Sequence, residues 1–360
     1  MTTRPQGSLF QRIKAKTIGL NIPFCAHLEL TDRCNLRCRH CYVTPGHGDG
    51  ELTLAEWKGC LDQLAELGTL YLVLSGGEIL VRPDFFEIAE YARQREFQIN
   101  LFTNATLIDE TVARRIRALH PHRVETSLYG ASADTHDGIT GVAGSFARLI
   151  RGVRLLREQG VAVQMKVTWM APNIREAEAM RKLAAELGAA LRTASMLLRR
   201  RDGDQSNEVL KVSEADLRNM YLEMFKKGRE KGAPTPPEPQ PVAEETARRI
   251  VPCGIGTVTC NIDAGGGVHP CPAAHAIDLG SIRDRPLAEI WQHSPVLQEI
   301  RKIRLWDLEE CRGCKLWHYC NRCAAVALQE RGSLTAGSAQ ACAAARAKYG
   351  LFQGKECELD

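Results

Sequence analysis

The chain has 360 residues, of which 44% are hydrophobic and 25% charged, and its formal charge is only +4. The length suits one large α/β unit with an appended module, and so slight a charge predicts no nucleic-acid partner. No apolar run is long enough to span a bilayer, and residues 1–16 lack the apolar stretch of a secretory signal, so a cytoplasmic protein with no membrane partner is expected. The 14 cysteines would suggest disulfides in a short secreted chain; here they cluster at metal-ligand spacings, which points to reduced thiolates holding metal.

In chain order, the apolar run 26–31 reads as a first strand and leads into Cys34-Asn35-Leu36-Arg37-Cys38-Arg39-His40-Cys41-Tyr42. A glycine-rich loop at 44–50 precedes a helix that opens at 52–57 and stops at Gly68. The strand 70–75 follows and ends in Gly76-Gly77-Glu78. The alternation then repeats: helix 84–96, strand 97–102, helix 108–119, strand 123–128, helix 146–160, strand 161–169, helix 174–188, strand 191–197 and helix 213–232. Six strands alternating with amphipathic helices imply right-handed crossovers and a parallel sheet. Six such units close only partly into a barrel, with the site at the C-terminal strand ends. Five prolines in 234–241 read as a stiff linker and a domain boundary.

Three cysteines packed into eight residues form a soft ligand set suited to iron–sulfur clusters or zinc. A closed structural site recruits four protein ligands, so three leave one position open for a substrate or cofactor; a zinc knuckle with a distant fourth ligand is the structural alternative. The pattern CxxxCx(aromatic)C after a strand resembles the signature of the radical S-adenosylmethionine (SAM) enzymes. That resemblance covers residues 24–232 and implies a partial (βα)6 barrel. It implies that Cys34, Cys38 and Cys41 hold a four-iron four-sulfur cluster whose open iron chelates SAM. One electron then splits SAM, and the 5′-deoxyadenosyl radical takes a hydrogen atom from substrate. His40, in the aromatic position, is expected against the adenine, and Tyr42 is expected to pack. Gly76, Gly77 and Glu78 resemble the motif that holds the SAM amino group; glycines permit close approach and Glu78 offers an acceptor. Asn104 and Ser127 are favoured as further SAM contacts, and Thr103 and Lys166 could reach ribose, carboxylate or substrate. His136 and Asp137 resemble a recurring structural pair.

Beyond the prolines stand Cys253, Cys260, Cys271, Cys311, Cys314, Cys320, Cys323 and Cys342. Eight thiols suffice for two four-iron clusters, and metal binding would help a loop-rich module to fold. A zinc ribbon from Cys311, Cys314, Cys320 and Cys323 competes but leaves four cysteines unexplained. Residues 251–343 are similar to the SPASM extension of radical SAM enzymes. By that resemblance Cys253, Cys260, Cys271 and Cys323 hold one auxiliary cluster, and Cys311, Cys314, Cys320 and Cys342 the other. One departure is that two residues separate Cys320 from Cys323, where better-studied members have three. The expected division is an N-terminal segment 1–23, the barrel 24–232, a linker and bridging segment 233–250, and the SPASM domain with its tail 251–360. Cys25 and Cys60 read as packing residues and Cys357 is left over. The run Arg199-Arg200-Arg201 could meet an acidic substrate or simply be solvated.

The resemblance implies three 4Fe-4S clusters and SAM as cofactors, and a precursor peptide as substrate, oxidised to a cross-link, thioether, epimer or excision product. Oxidation or decarboxylation of a small molecule in haem or antibiotic pathways, and a non-catalytic electron carrier, are the competing readings. Some two dozen residues before the first strand are too few for a leader-binding domain, so a separate recognition protein is expected, with flavodoxin or ferredoxin as reductant.

Overall fold

The computed structural model describes residues 13, 16–44, 46, 48–230 and 238–353. The expected strands form as β1 (Cys25–Glu29), β2 (Tyr71–Ser75), β3 (Gln98–Thr103), β4 (Arg123–Ser127), β5 (Val163–Thr168) and β6 (Ala190–Ala194). Each pairs in parallel with its sequence neighbour, and the cover helices are α1 (Leu54–Leu67), α2 (Phe85–Gln94), α3 (Glu110–Ala118), α4 (Ala133–Thr140), α5 (Ser145–Glu158), α6 (Ala177–Glu186) and α7 (Glu214–Glu230). Helix boundaries are set locally. For α1, Thr53 and Glu56 form a reciprocal capping box, and Gly68 ends the helix in the left-handed region at φ 87°. Helix α4 lies in the stretch between the expected strand 123–128 and helix 146–160, to which the sequence pattern assigns no element; Ser132 caps it and Gly141, at φ 71°, stops it after two turns.

The sheet does not stop at six strands. Its order is β6-β5-β4-β3-β2-β1-β7-β8, where β7 (Thr259–Ile262) lies parallel to β1 and β8 (Val268–His269) returns antiparallel. The C-terminal module therefore contributes a hairpin to the barrel sheet itself, and the apolar core runs from Leu28, Trp57 and Leu72 through Ile262, Trp291 and Ala344 without a break. Among the described residues β6 and β8 remain the two edges, so the barrel is open.

Strand faces differ sharply. Ala26 and Leu28 of β1 are fully buried toward the helices, while His27 and Glu29 alternate with them toward the lumen. Glu125 of β4 and Lys166 of β5 continue this polar row across the sheet, their registers offset by one rung. A parallel strand buried on both faces is normally apolar throughout; a polar inner face marks a lumen kept for ligands. Beyond the barrel, the module is built of short pieces, including α8 (Glu244–Ala247), α9 (Leu287–His293), α10 (Pro295–Lys302), α11 (Ala324–Arg331) and α12 (Ala339–Gln353). Linker residues 234–237, Cys357 and most of segment 1–23 lie outside the described residues.

Candidate active site

The loop after β1 carries Cys34, Cys38 and Cys41, and backbone hydrogen bonds hold it from two sides. Gly77 N–H donates to Thr31 O at 2.7 Å and Glu78 N–H to Arg33 O at 2.9 Å; Arg37 and Arg39 N–H donate to Thr140 and Ile139 O, both at 2.9 Å. The two glycines are required by this embrace. A Cβ on Gly76 would lie 2.4 Å from Thr31 O, and one on Gly77 2.3 Å from Arg33 O. Their close approach is thus to the cysteine loop's own backbone, with a face left toward the cavity.

All three cysteines, with His40, Gly76, Gly77, Asn104, Ser127 and Lys166, line one cavity of about 860 Å³ at the C-terminal strand ends. Its size is at the upper end of small-molecule sites and can hold a cofactor together with part of a substrate. Burial pushes the thiols of Cys34, Cys38 and Cys41 above their ordinary titration range, and the negative charge of Cys41 raises Cys34 and Cys38 further. Thiolates here need a positive partner. Among the described residues no three cysteine sulfurs gather within 4.8 Å of one another. A cluster several ångströms across suits three thiols on one cavity wall. His40 has a buried Nδ1 without a protein partner, a polar atom facing a group the protein does not supply. Its ring packs edge-on against Tyr129 with centroids 4.3 Å apart, and burial lowers its pKa to about 4, keeping it neutral.

Glu78 is placed differently from the sequence expectation. It is 1% exposed, does not line the cavity, and accepts from Leu80 N–H (3.0 Å) and Thr103 Oγ1 (2.7 Å) at Oε1 and from Asn104 N–H (2.6 Å) at Oε2. Three of the carboxylate's four acceptor positions are filled by protein, leaving one on Oε2 for an ammonium. Its main work is to tie the ends of β2 and β3. Asn104 is similarly engaged: Nδ2 donates to Asn35 Oδ1 at 2.8 Å, and Oδ1 accepts from Thr106 N–H and Oγ1. Ser127 and Tyr129 stand on the same cavity wall. Lys166 pairs with Glu125 Oε2 at 2.6 Å and sits 3.5 Å from the Phe102 ring centre. His136 accepts from Tyr129 N–H and also lines the cavity, and Asp137 caps α5 by accepting from Gly144 N–H, Ser145 Oγ and Phe146 N–H.

The arginine run is neither free nor solvated as a unit. Arg201 makes a bidentate pair with Glu29 (2.7 and 2.8 Å), Arg199 binds Glu208 and the carbonyl of Gln329, and Arg200, the member that lines the cavity, binds Asp202. Sequence reading missed Tyr129, Phe102 and Glu29 as cavity walls; the alternating polar positions of β1, β3, β4 and β5 were the available signal.

Module cysteines fall into two groups. After burial, the neighbours that raise Cys271 are Cys323 and Cys253; those that raise Cys320 are Cys342, Cys311 and Cys314. Cys260 stands apart from both. It lies on β7 in register with Ala26, fully buried in the helix-facing core, and its thiol neighbours are Cys25 and Cys60.

The radical SAM superfamily profile matches residues 28–185, and the iron-sulfur cluster-binding domain profile, SPASM, matches 253–324. AdoMet-dependent heme synthase of Methanosarcina barkeri is 32% identical over 323 residues, covering 84% of this chain and 91% of that protein. Mycofactocin maturase MftC of Mycobacterium tuberculosis is 31% identical over 309 residues (84% and 78%), and PqqA peptide cyclase of Gluconobacter oxydans 31% over 321 (85% and 87%). Streptococcus suis SuiB bound to precursor peptide SuiA shares the fold, with a TM-score of 0.67 and 15% identity over 95% of this chain and 83% of that one. The chain belongs to the radical SAM superfamily, in the group that carries a C-terminal SPASM iron–sulfur domain.

Proposed function

We propose that this enzyme reductively cleaves SAM and uses the resulting radical to abstract hydrogen from a ribosomally made precursor peptide, giving a cross-link, thioether, epimer or excision product. The observation that carries this reading is that 31% identity to PqqA peptide cyclase and to mycofactocin maturase extends through both modules rather than the barrel alone. When bound, the cluster and SAM supply a 5′-deoxyadenosyl radical; the chain's own residues hold, orient and shield. Cys34, Cys38 and Cys41 would hold the SAM-binding 4Fe-4S cluster. His40, Gly76, Gly77, Asn104, Ser127 and Lys166 would surround SAM, with Glu78 fixing Asn104 from beneath and offering its remaining acceptor to the amino group. Cys253, Cys271 and Cys323 would hold one auxiliary 4Fe-4S cluster and Cys311, Cys314, Cys320 and Cys342 the other, supported by their grouping. Cys260 we assign to packing. The proposal is completed by a flavodoxin- or ferredoxin-type reductant, a separate leader-recognition protein, and a cytoplasmic setting. Among the described residues no helix is long and apolar enough to cross a membrane.

The test is anaerobic incubation of reconstituted enzyme with SAM, dithionite and synthetic precursor peptides encoded beside its gene. Formation of 5′-deoxyadenosine with a peptide lighter by two hydrogens, or epimerised, supports the reading. A second reading, small-molecule decarboxylation, is favoured by the 32% identity across most of the heme synthase. Carbon dioxide release from a carboxylated tetrapyrrole, with the peptides unchanged, would replace the first reading by the second.

A further inference from the structure

The turn between β7 and β8 brings together three side chains that the radical chemistry does not use: Asp263, His269 and His275. Their donor atoms lie within 4.8 Å of one another. His269 Nε2 is 2.9 Å and His275 Nε2 3.3 Å from the same oxygen, Asp263 Oδ2, and the two imidazoles stack with centroids 4.0 Å apart.

The outer contacts of each group show what the inner atoms are aimed at. His269 Nδ1 is 3.1 Å from Ile277 O; a carbonyl can only accept, so Nδ1 carries an N–H and Nε2, 2.9 Å from Asp263 Oδ2, is the ring atom left to bind a metal. Asp263 Oδ1 is held by the N–H groups of Gly265 (3.0 Å) and Gly267 (2.8 Å), which turns Oδ2 toward the two rings. A histidine oriented through its second nitrogen by a carbonyl, beside a carboxylate oriented through its second oxygen by backbone, is how metal ligands are supported. The spacing agrees. Bonds of about 2.0–2.1 Å place adjacent ligand atoms about 2.9 Å apart at right angles and about 3.3 Å apart at tetrahedral angles. His269 is buried, whereas the His275 side chain is one-third exposed, which gives an ion a route in and an open side.

We propose that Asp263, His269 and His275 form a mononuclear site for a divalent transition-metal ion, separate from the three clusters. Two imidazoles and one carboxylate suit zinc or ferrous iron. Cys271 lies between His269 and His275 in sequence, and Pro272 lines the main cavity, so the ion ties the segment that carries both to Asp263 in the β7–β8 turn.

The probe is zinc alone. Anaerobically reconstituted full-length enzyme is given one equivalent of zinc, desalted, and analysed for metal content and by zinc-edge X-ray absorption. The expected result is about one zinc whose neighbours are nitrogen and oxygen at about 2.0–2.1 Å, with no sulfur at about 2.3 Å. His275→Ala should lose zinc affinity tenfold or more while keeping iron content and cluster absorbance, which shows that it has folded. His275→Cys should keep zinc and gain one sulfur neighbour. Failure of the wild type to retain zinc, a sulfur-dominated zinc environment in the wild type, or undiminished binding by His275→Ala would each overturn the proposal.

Discussion

The two cysteine regions of this molecule are held in place by different means. The loop of Cys34, Cys38 and Cys41 is fixed by backbone hydrogen bonds on two sides, to Gly77 and Glu78 after β2 of the main core and to Thr140 and Ile139 of α4, where Ile139 packs in a smaller cluster with Met170, Leu197 and Leu210. Cys311, Cys314, Cys320 and Cys323 sit on single turns or at the start of the eight-residue α11, where Cys314 N–H reaches Cys311 O and Cys320 N–H reaches Trp317 O, while Cys342 lies on the longer α12. Leu305, Leu308 and Cys311 belong to a small core cluster of their own. The barrel presents a ready-made site, whereas much of the module gains its order from what its cysteines bind.

Iron removal should therefore separate the two regions, and this is the largest effect expected. After chelation, amides in 305–323 should lose protection from hydrogen exchange while β2 to β4 keep theirs; uniform protection would end the distinction. Alanine at Cys34, Cys38 and Cys41 should abolish SAM cleavage and lower iron from about twelve to about eight per chain, with the melting temperature nearly unchanged. Gly77→Ala should cost about 1–3 kcal/mol by calorimetry through the clash with Arg33 O, and should weaken SAM binding by displacing the cysteine loop. Cys260→Ser should retain about twelve irons and destabilise by about 1–3 kcal/mol, the cost of a buried hydroxyl, whereas Cys323→Ser should lose iron; loss of iron from both would return Cys260 to the ligand set.

The smallest effect lies at the seam. Arg283 of the module binds Glu56 at the start of α1 at 2.6 Å, and this hydrogen bond, then that from Thr53 N–H, lowers the Glu56 pKa to about 2. The pair is exposed, so Arg283→Ala should cost no more than about 1 kcal/mol. A carboxylate with a depressed folded pKa stabilises above its ordinary pKa and loses that contribution as pH falls through the folded value. The gap between wild type and variant in urea melts should hold at neutral pH and close between about pH 4.5 and 2.

Six parallel strands were legible because short apolar runs alternate with amphipathic helices, several of which stop at a glycine (Gly68, Gly160, Gly188), and both cysteine patterns were legible because ligand spacing is local. The β7–β8 hairpin was not, since Thr259–Ile262 is four residues long and its partner strand lies at the other end of the chain. Nor was the occupation of Glu78 by Thr103 and Asn104, or of Glu29 by Arg201 at a separation of 172 residues, because a motif shows which donors are present but not which protein groups reach them first. Helix α4 was missed because Gly138 and the flanking glycines outweighed the Ser132 cap.

The pairing of β1 with β7 has a consequence for synthesis on the ribosome. One edge of β1 stays without its partner until a strand more than two hundred residues downstream has emerged, which at about 5–20 residues per second is tens of seconds. A parallel strand with an open edge is a template for wrong pairing over that interval. Truncation before Thr259 should thus yield a barrel that self-associates, and slowing translation downstream of β6 should lower the yield of monomeric full-length protein.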